Sequence, residues 1–235
     1  MVRLKALAST LGLALETRAT RRALAAYFGF SIAEWGIWVS ILVYAYNASG
    51  PLAVGIAAFA QLVPTALLGH QATVRISRIA GSRSITSSYL LQLTLFGALA
   101  AIMALNAALP MVIVVGAAAN VIVATARPFH YASLAVWAHS PGALVASNVA
   151  TSVTETWTAF IGPALAGLVM SVAGPAAAVA ALLVALASAA AIAPAGATPQ
   201  EVPSPEVAED PVGRRIWPAM GVISVIDFIA GGVEV

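Results

Sequence analysis

From Ala23 to Tyr46 the chain reads ALAAYFGFSIAEWGIWVSILVYAY, a stretch in which Glu34 is the only charge. About twenty such residues are enough to cross a hydrocarbon layer about 30 Å thick. Glu34 lies eleven positions after Ala23, which at 1.5 Å per residue is about 16 Å along a helix, close to the middle of that layer. An ionisable group at that depth costs at least about 2.5 kcal/mol on insertion scales, so its presence asks for a role. Tyr27, Ser31 and Trp38 fall on the same helical face. The expectation is a proton-binding carboxylate facing a central cavity, with Ser31 and Trp38 lining it. The competing reading is a structural glutamate hydrogen-bonded to a neighbouring helix.

Outward from this stretch the same pattern recurs. Spans are expected at about 23–46, 52–74, 85–106, 110–127, 143–171 and 175–193, and the start of a seventh near 216. Charged residues make up 9% of the chain and apolar ones 61%, with a mean hydropathy of +0.95. A soluble fold of this length cannot bury that much apolar surface. The expected fold class is therefore all-α and polytopic. It comprises a cytoplasmic amphipathic arm over 1–22, a six-helix transmembrane bundle over 23–193, a cytoplasmic linker over 194–215 and a truncated seventh helix over 216–235. The arm places Leu4, Leu7, Leu11 and Leu15 at helical spacing among basic residues. From Pro194 to Pro211 the linker carries five prolines and four acidic residues, which a membrane helix does not tolerate.

All eleven basic residues fall in the arm or in alternate connections: Arg75, Arg78 and Arg83 after span two, Arg127 after span four, Arg214 and Arg215 before span seven. The intervening turns at 47–51, 106–110 and 171–175 carry none, so the N-terminus is expected in the cytoplasm. Arg127 is expected to end span four by snorkelling to the inner surface, a cavity role being the alternative. Basic residues spread over helix ends do not form the single patch that nucleic acid binds, so no nucleic-acid partner is expected.

Two further acids sit at comparable depth. Glu155 lies on a face with Asn148, Ser152, Thr158 and Gly162, and Asp227 falls eleven positions past Ile216. Glu155, Asn148 and Asp227 are candidate cavity residues, as is Gln61, which shares a face with Thr65 around Pro64; for the Glu155 stripe, hydrogen bonding between helices is the equal alternative. There is no Cys, and His70, His130 and His139 lack metal-ligand spacing, so neither a metal nor another cofactor is expected. No phosphate loop, nucleophile elbow or zinc-protease motif occurs, so an enzyme is not expected either.

The order of these signals resembles the major facilitator superfamily, and within it the bacterial secretion-effector branch that includes enterobactin-exporter-like proteins. The resemblance rests on Ser31-Ile32-Ala33-Glu34-Trp35 in span one and on Ser49-Gly50-Pro51-Leu52-Ala53-Val54-Gly55 at the turn into span two. It continues in Ala126-Arg127-Pro128, in Ala146-Ser147-Asn148, and in Ile161-Gly162-Pro163-Ala164-Leu165-Ala166-Gly167, which is similar to the Gly-Pro antiporter motif. The resemblance implies that Gly162, Pro163 and Gly167 allow close helix contact and that Arg78 belongs to the conformational motif of the inner loop. That loop usually carries Asp-Arg, whereas Ser77-Arg78 stands here. The resemblance further implies two inverted three-helix repeats and a missing C-terminal bundle of the same parent chain. The function it implies is proton-coupled export of a small amphipathic molecule, drug-like or siderophore-like, across a bacterial inner (plasma) membrane. Lipid, protons and that substrate are the expected partners. A membrane anchor or sensor joined to a further module is the alternative.

The charge asymmetry makes a direct prediction. A Ser49→Cys variant reacts with an impermeant thiol reagent from outside intact cells, and a Ser204→Cys variant reacts only after the membrane is opened. The reverse labelling pattern overturns the orientation.

Overall fold

The computed structural model describes residues 12–194. The first eleven residues, the linker beyond Pro194, the expected seventh span and Asp227 lie outside the described residues. Within them the chain is helical with no strand, and it has four helices: α1 (Arg18–Ala80), α2 (Ser84–Ala104), α3 (Leu109–Trp137) and α4 (Pro141–Ile192). A 3-10 turn over Gly81–Arg83 joins α1 to α2.

Four helices replace the six expected, because two of the expected loops have shrunk to single breaks within long helices. In α1 the backbone leaves helical geometry only at Ser49 and Gly50, where Gly50 has φ 76°, and Pro51 follows. In α4 the break is Gly174 alone, at φ 80°, followed by Pro175. Glycine takes a positive φ without steric cost, and proline is preset for the first turn of a helix. Each long helix therefore consists of two arms.

The contacts of the arms fix their directions. Along α3, the first arm of α1 meets Gly116 through Ile41, Arg127 through Glu34 and His130 through Tyr27, so the two run antiparallel. The second arm meets Asn120 through Gln61 and Ala124 through Gly69, so it runs parallel to α3. The chain has therefore reversed between Ala48 and Pro51. In α4, Glu155, Thr158 and Gly162 follow Tyr27, Ser31 and Gly36 in the same order. Beyond Gly174, Leu182 lies on Gly36 and Ala185 on Gly29, in reversed order.

Other expected boundaries also move. α1 begins at Arg18, where the Thr17 side chain accepts from the Thr20 amide at 3.0 Å. The arm's helical spacing does not continue through Leu15, because a bend over Leu15–Thr17 separates a short helical turn at 12–14 from α1. α3 does not end at Arg127 but continues to Trp137 through Pro128. The 29 residues of α3 span about 43 Å, longer than a hydrocarbon core.

Polarity is distributed inside out. Ser31, Ser40, Gln61, Ser88, His130 and Thr158 are buried, while Leu52, Phe59, Phe160 and Val172 are largely exposed. Helices this long and apolar have the character of a membrane-embedded protein. Six of the seven arginines of the described residues cluster near one end. Arg22 donates to the Ile192 carbonyl there, and one groove brings Ser77, Gly81, Trp137 and Pro194 together. The opposite end holds the Gly174 break, Asn106 at φ 51° and Tyr44, whose hydroxyl donates to the Ala107 carbonyl at 2.9 Å. Of the clustered arginines, Arg18, Arg21 and Arg22 lie at the start of α1, where the helix dipole opposes them, whereas Arg78 lies in its last turn, where the dipole favours it.

The tightest helix contact joins α1 to α4. A Cβ at Gly162 would lie 2.6 Å from the Ile32 carbonyl oxygen, and one at Gly36 would lie 2.8 Å from the Gly162 oxygen. Small residues permit such backbone approach, and a backbone atom cannot step aside. Gly167, by contrast, faces open space. Gly162→Ala is therefore expected to destabilise the protein by about 1–3 kcal/mol, and Gly167→Ala by less than about 0.5 kcal/mol. Unfolding in detergent, followed by circular dichroism, checks the pair; equal effects overturn the crossing.

Candidate functional site

The first arm of α1 carries three side chains toward two different neighbours. Tyr27 and Ser31 face α4, where the Tyr27 hydroxyl donates to Glu155 Oε1 and Ser31 Oγ lies 2.8 Å from Thr158 Oγ1. Glu34, two turns on from Tyr27, faces α3. There Arg127 closes its fork on the carboxylate, with Nη1 donating to Oε1 at 2.7 Å and Nη2 to Oε2 at 3.1 Å. The Nε of the same guanidinium reaches Glu155 Oε1 at 3.4 Å.

One arginine thus stands between two glutamates from two helices. A bidentate pair of this kind is charge-assisted and directional. With both carboxyls ionised, the trio holds one more negative than positive charge, and the surrounding helices are apolar. Glu34 is the most enclosed, its side chain 14% exposed, against 36% for Arg127 and 31% for Glu155. Behind the trio, the Tyr27 ring stacks on His130 with centroids 4.0 Å apart, and His130 Nε2 lies 3.0 Å from Thr151 Oγ1.

In front of it opens a cleft of about 380 Å³. Glu34 and Arg127 stand on its wall with Trp35, Trp38, Gln61 and Asn120. Trp35 and Trp38 meet edge to face at 6.3 Å. Asn120 Nδ2 donates to Gln61 Oε1 at 2.7 Å, and the Gln61 amide donates to the Ala57 carbonyl at 3.2 Å. An amphipathic wall with a few fixed polar groups, at this volume, has the make-up of a small-molecule site.

The sequence candidates divide accordingly. Glu34, Glu155 and Ser31 share one polar ladder, and Trp38 and Gln61 line the adjoining cleft. Asn148 does not join them: it is exposed on the opposite face of α4 beside Ser152 and Thr156. The polar stripe expected along that helix therefore splits, with Thr158 and Gly162 turned inward. Arg78 is exposed in the last turn of α1 and makes no ion pair among the described residues. Gly162 sits in the helix crossing, whereas Gly167 does not. Among the described residues no group of His, Asp and Glu gathers as metal ligands do.

Arg127 is the main correction. Expected at the inner surface, it instead binds Glu34, because α3 runs ten residues further. The signal was present in residues 128–137, which carry no Asp, Glu, Lys or Arg and end on Trp137. Tyr27, His130 and Asn120 were not proposed as site residues, since an aromatic or amide on an apolar helix is ordinarily packing.

No family model matches the chain, nor does any curated protein or solved structure. The fold and site define a class, an all-helical protein of membrane-embedded character with an internal Glu-Arg-Glu trio beside a cleft.

Removing one member of a fully buried ion pair costs about 3–5 kcal/mol; Arg127 keeps a third of its surface, so a smaller loss is expected. Arg127→Met should destabilise by about 2 kcal/mol, and adding Glu34→Gln should recover about half of that. Unfolding of the two single variants and the double variant in detergent measures the coupling. Strictly additive losses show that the pair contributes nothing.

Proposed function

We propose that this chain forms half of a proton-coupled secondary transporter of major-facilitator type, exporting a small amphipathic molecule. The observation that supports it most is Arg127 held between Glu34 and Glu155 at the wall of a cleft. The unequal charge of that trio is neutralised by one proton, and a group that gains and loses a proton beside a ligand cleft couples the two movements.

The arm directions support the remaining architecture. Counting each arm separately gives six segments, 18–48, 51–80, 84–104, 109–137, 141–173 and 175–192, each long enough to cross a bilayer. We read them as six crossings in two inverted three-helix repeats, with the arginine-bearing end in the cytoplasm of a bacterial inner membrane. In this reading a second bundle supplies the facing wall of the cleft. Trp35, Trp38 and the Gln61–Asn120 amide pair suit a flat, partly polar substrate.

The test uses inverted membrane vesicles carrying the complete gene product. Glu34→Gln keeps the shape of the side chain and removes its charge. It is expected to reach the membrane normally, to lose export driven by a pH gradient, and to retain substrate exchange at equal pH. Wild-type export with unchanged pH dependence removes Glu34 from the coupling step. Absence of any substrate movement in the wild type, across a panel of amphipathic compounds, favours the anchor or sensor reading.

A further inference from the structure

A second cavity, of about 240 Å³, lies at the arginine-bearing end and shares no lining residue with the Glu-Arg-Glu cleft. Its lining is mixed: Ser77, Ser82, Ser84 and Ser133 are polar, and Phe129, Val136 and Trp137 are apolar. Ser77 and Ser84 turn their hydroxyls to the Val74 and Gly81 carbonyls, while Ser82 and Ser133 make no side-chain hydrogen bond among the described residues. Arg78 follows Ser77 directly, and Arg83 lies between Ser82 and Ser84. Both arginines are exposed, and the three ion pairs of the described residues all involve other side chains.

We propose that this groove binds the headgroup of an anionic phospholipid, with the phosphate at Arg78, Arg83 and the serines and the upper acyl chain along Phe129, Val136 and Trp137. Basic residues at the ends of membrane helices attract anionic headgroups, and basic pockets between such helices hold them. A free inorganic anion satisfies only the polar residues. A phospholipid satisfies both kinds, because it joins a charge to hydrocarbon. Trp137 suits the boundary, since an indole is stable where an apolar ring meets a polar headgroup layer. The bound lipid would bridge the end of α1, the start of α2 and the end of α3. The inference depends on membrane embedding and not on transport.

The experiment is native mass spectrometry of the complete purified protein in detergent, titrated with phosphatidylglycerol or with phosphatidylcholine of the same chains. The wild type is expected to retain phosphatidylglycerol in preference to phosphatidylcholine. Arg78→Gln with Arg83→Gln should weaken that retention about tenfold or more, because the substitution removes the two cations next to the lining serines. Arg18→Gln with Arg21→Gln removes equal charge from the same end and should leave retention within about twofold. All four positions are exposed, and monodisperse elution confirms that the variants fold. Equal retention of the two lipids overturns the proposal, as does equal weakening by the two arginine pairs. Displacement of phosphatidylglycerol by millimolar inorganic phosphate alone assigns the groove to a free anion and also overturns it.

Discussion

The guanidinium of Arg127 is shared between Glu34 and Glu155, and through it α1, α3 and α4 are tied at one level. Any one of these three charges, alone in an apolar bundle, is costly to hold. Together they are tolerable only where all three backbones come close. The approach of α1 to α4 is supplied a few residues along, where Gly36 and Gly162 cross without side chains between them. Tyr27 with Glu155, Ser31 with Thr158 and Gly36 with Gly162 form successive steps of one ladder, in the same order on both helices. The polar contacts and the small-residue crossing are therefore parts of a single interface. Neither is accounted for without the other.

The two long helices solve the same geometric problem in the same way. Each ends its first arm on a glycine at φ near 80° and opens the next on proline: Gly50-Pro51 in α1 and Gly174-Pro175 in α4. Such a reversal needs almost no loop, so few backbone groups are left without helical partners where water is scarce. The turn between α2 and α3 is longer but uses the same means, with Asn106 at φ 51° and Pro110 in the first turn of α3. All three lie away from the arginine-bearing end. There, Gly81 and the serine cap at Ser140 make the connections, and the chain carries its charge.

Hydropathy made the apolar helices legible, and Gly50-Pro51, Gly174-Pro175 and the stretch from Asn106 to Pro110 located the three short turns to within a few residues. What the sequence did not reveal was how short two of those turns become, because a single positive φ residue cannot be told from a small loop by composition. Arg127 was misplaced because an arginine followed by proline reads as a helix end, whereas α3 runs on through Pro128 to Trp137. The face assignments fared unevenly for a geometric cause. Asn148, Ser152, Glu155 and Thr158 fall on a broad arc of α4, and the edge of α1 divides that arc between a packed and an open side. Periodicity gives the arc, but only packing gives the division. Asp227 and the expected seventh span lie outside the described residues.

The division has a consequence for how charge and shape are connected. Arg127 and Glu34 line the cleft and Glu155 does not, while the Tyr27 hydroxyl donates to Glu155 from α1. A ligand in the cleft therefore meets the arginine before it meets Glu155. If the guanidinium turns toward such a ligand, Glu34 loses both hydrogen bonds of its fork, and Glu155 keeps only that of Tyr27. Both glutamates sit on the two helices whose crossing has no free space at Gly36 and Gly162. A packed crossing moves between discrete arrangements rather than deforming gradually. A change of partner at Arg127 is thus felt in the same helix pair that has the least room to absorb it.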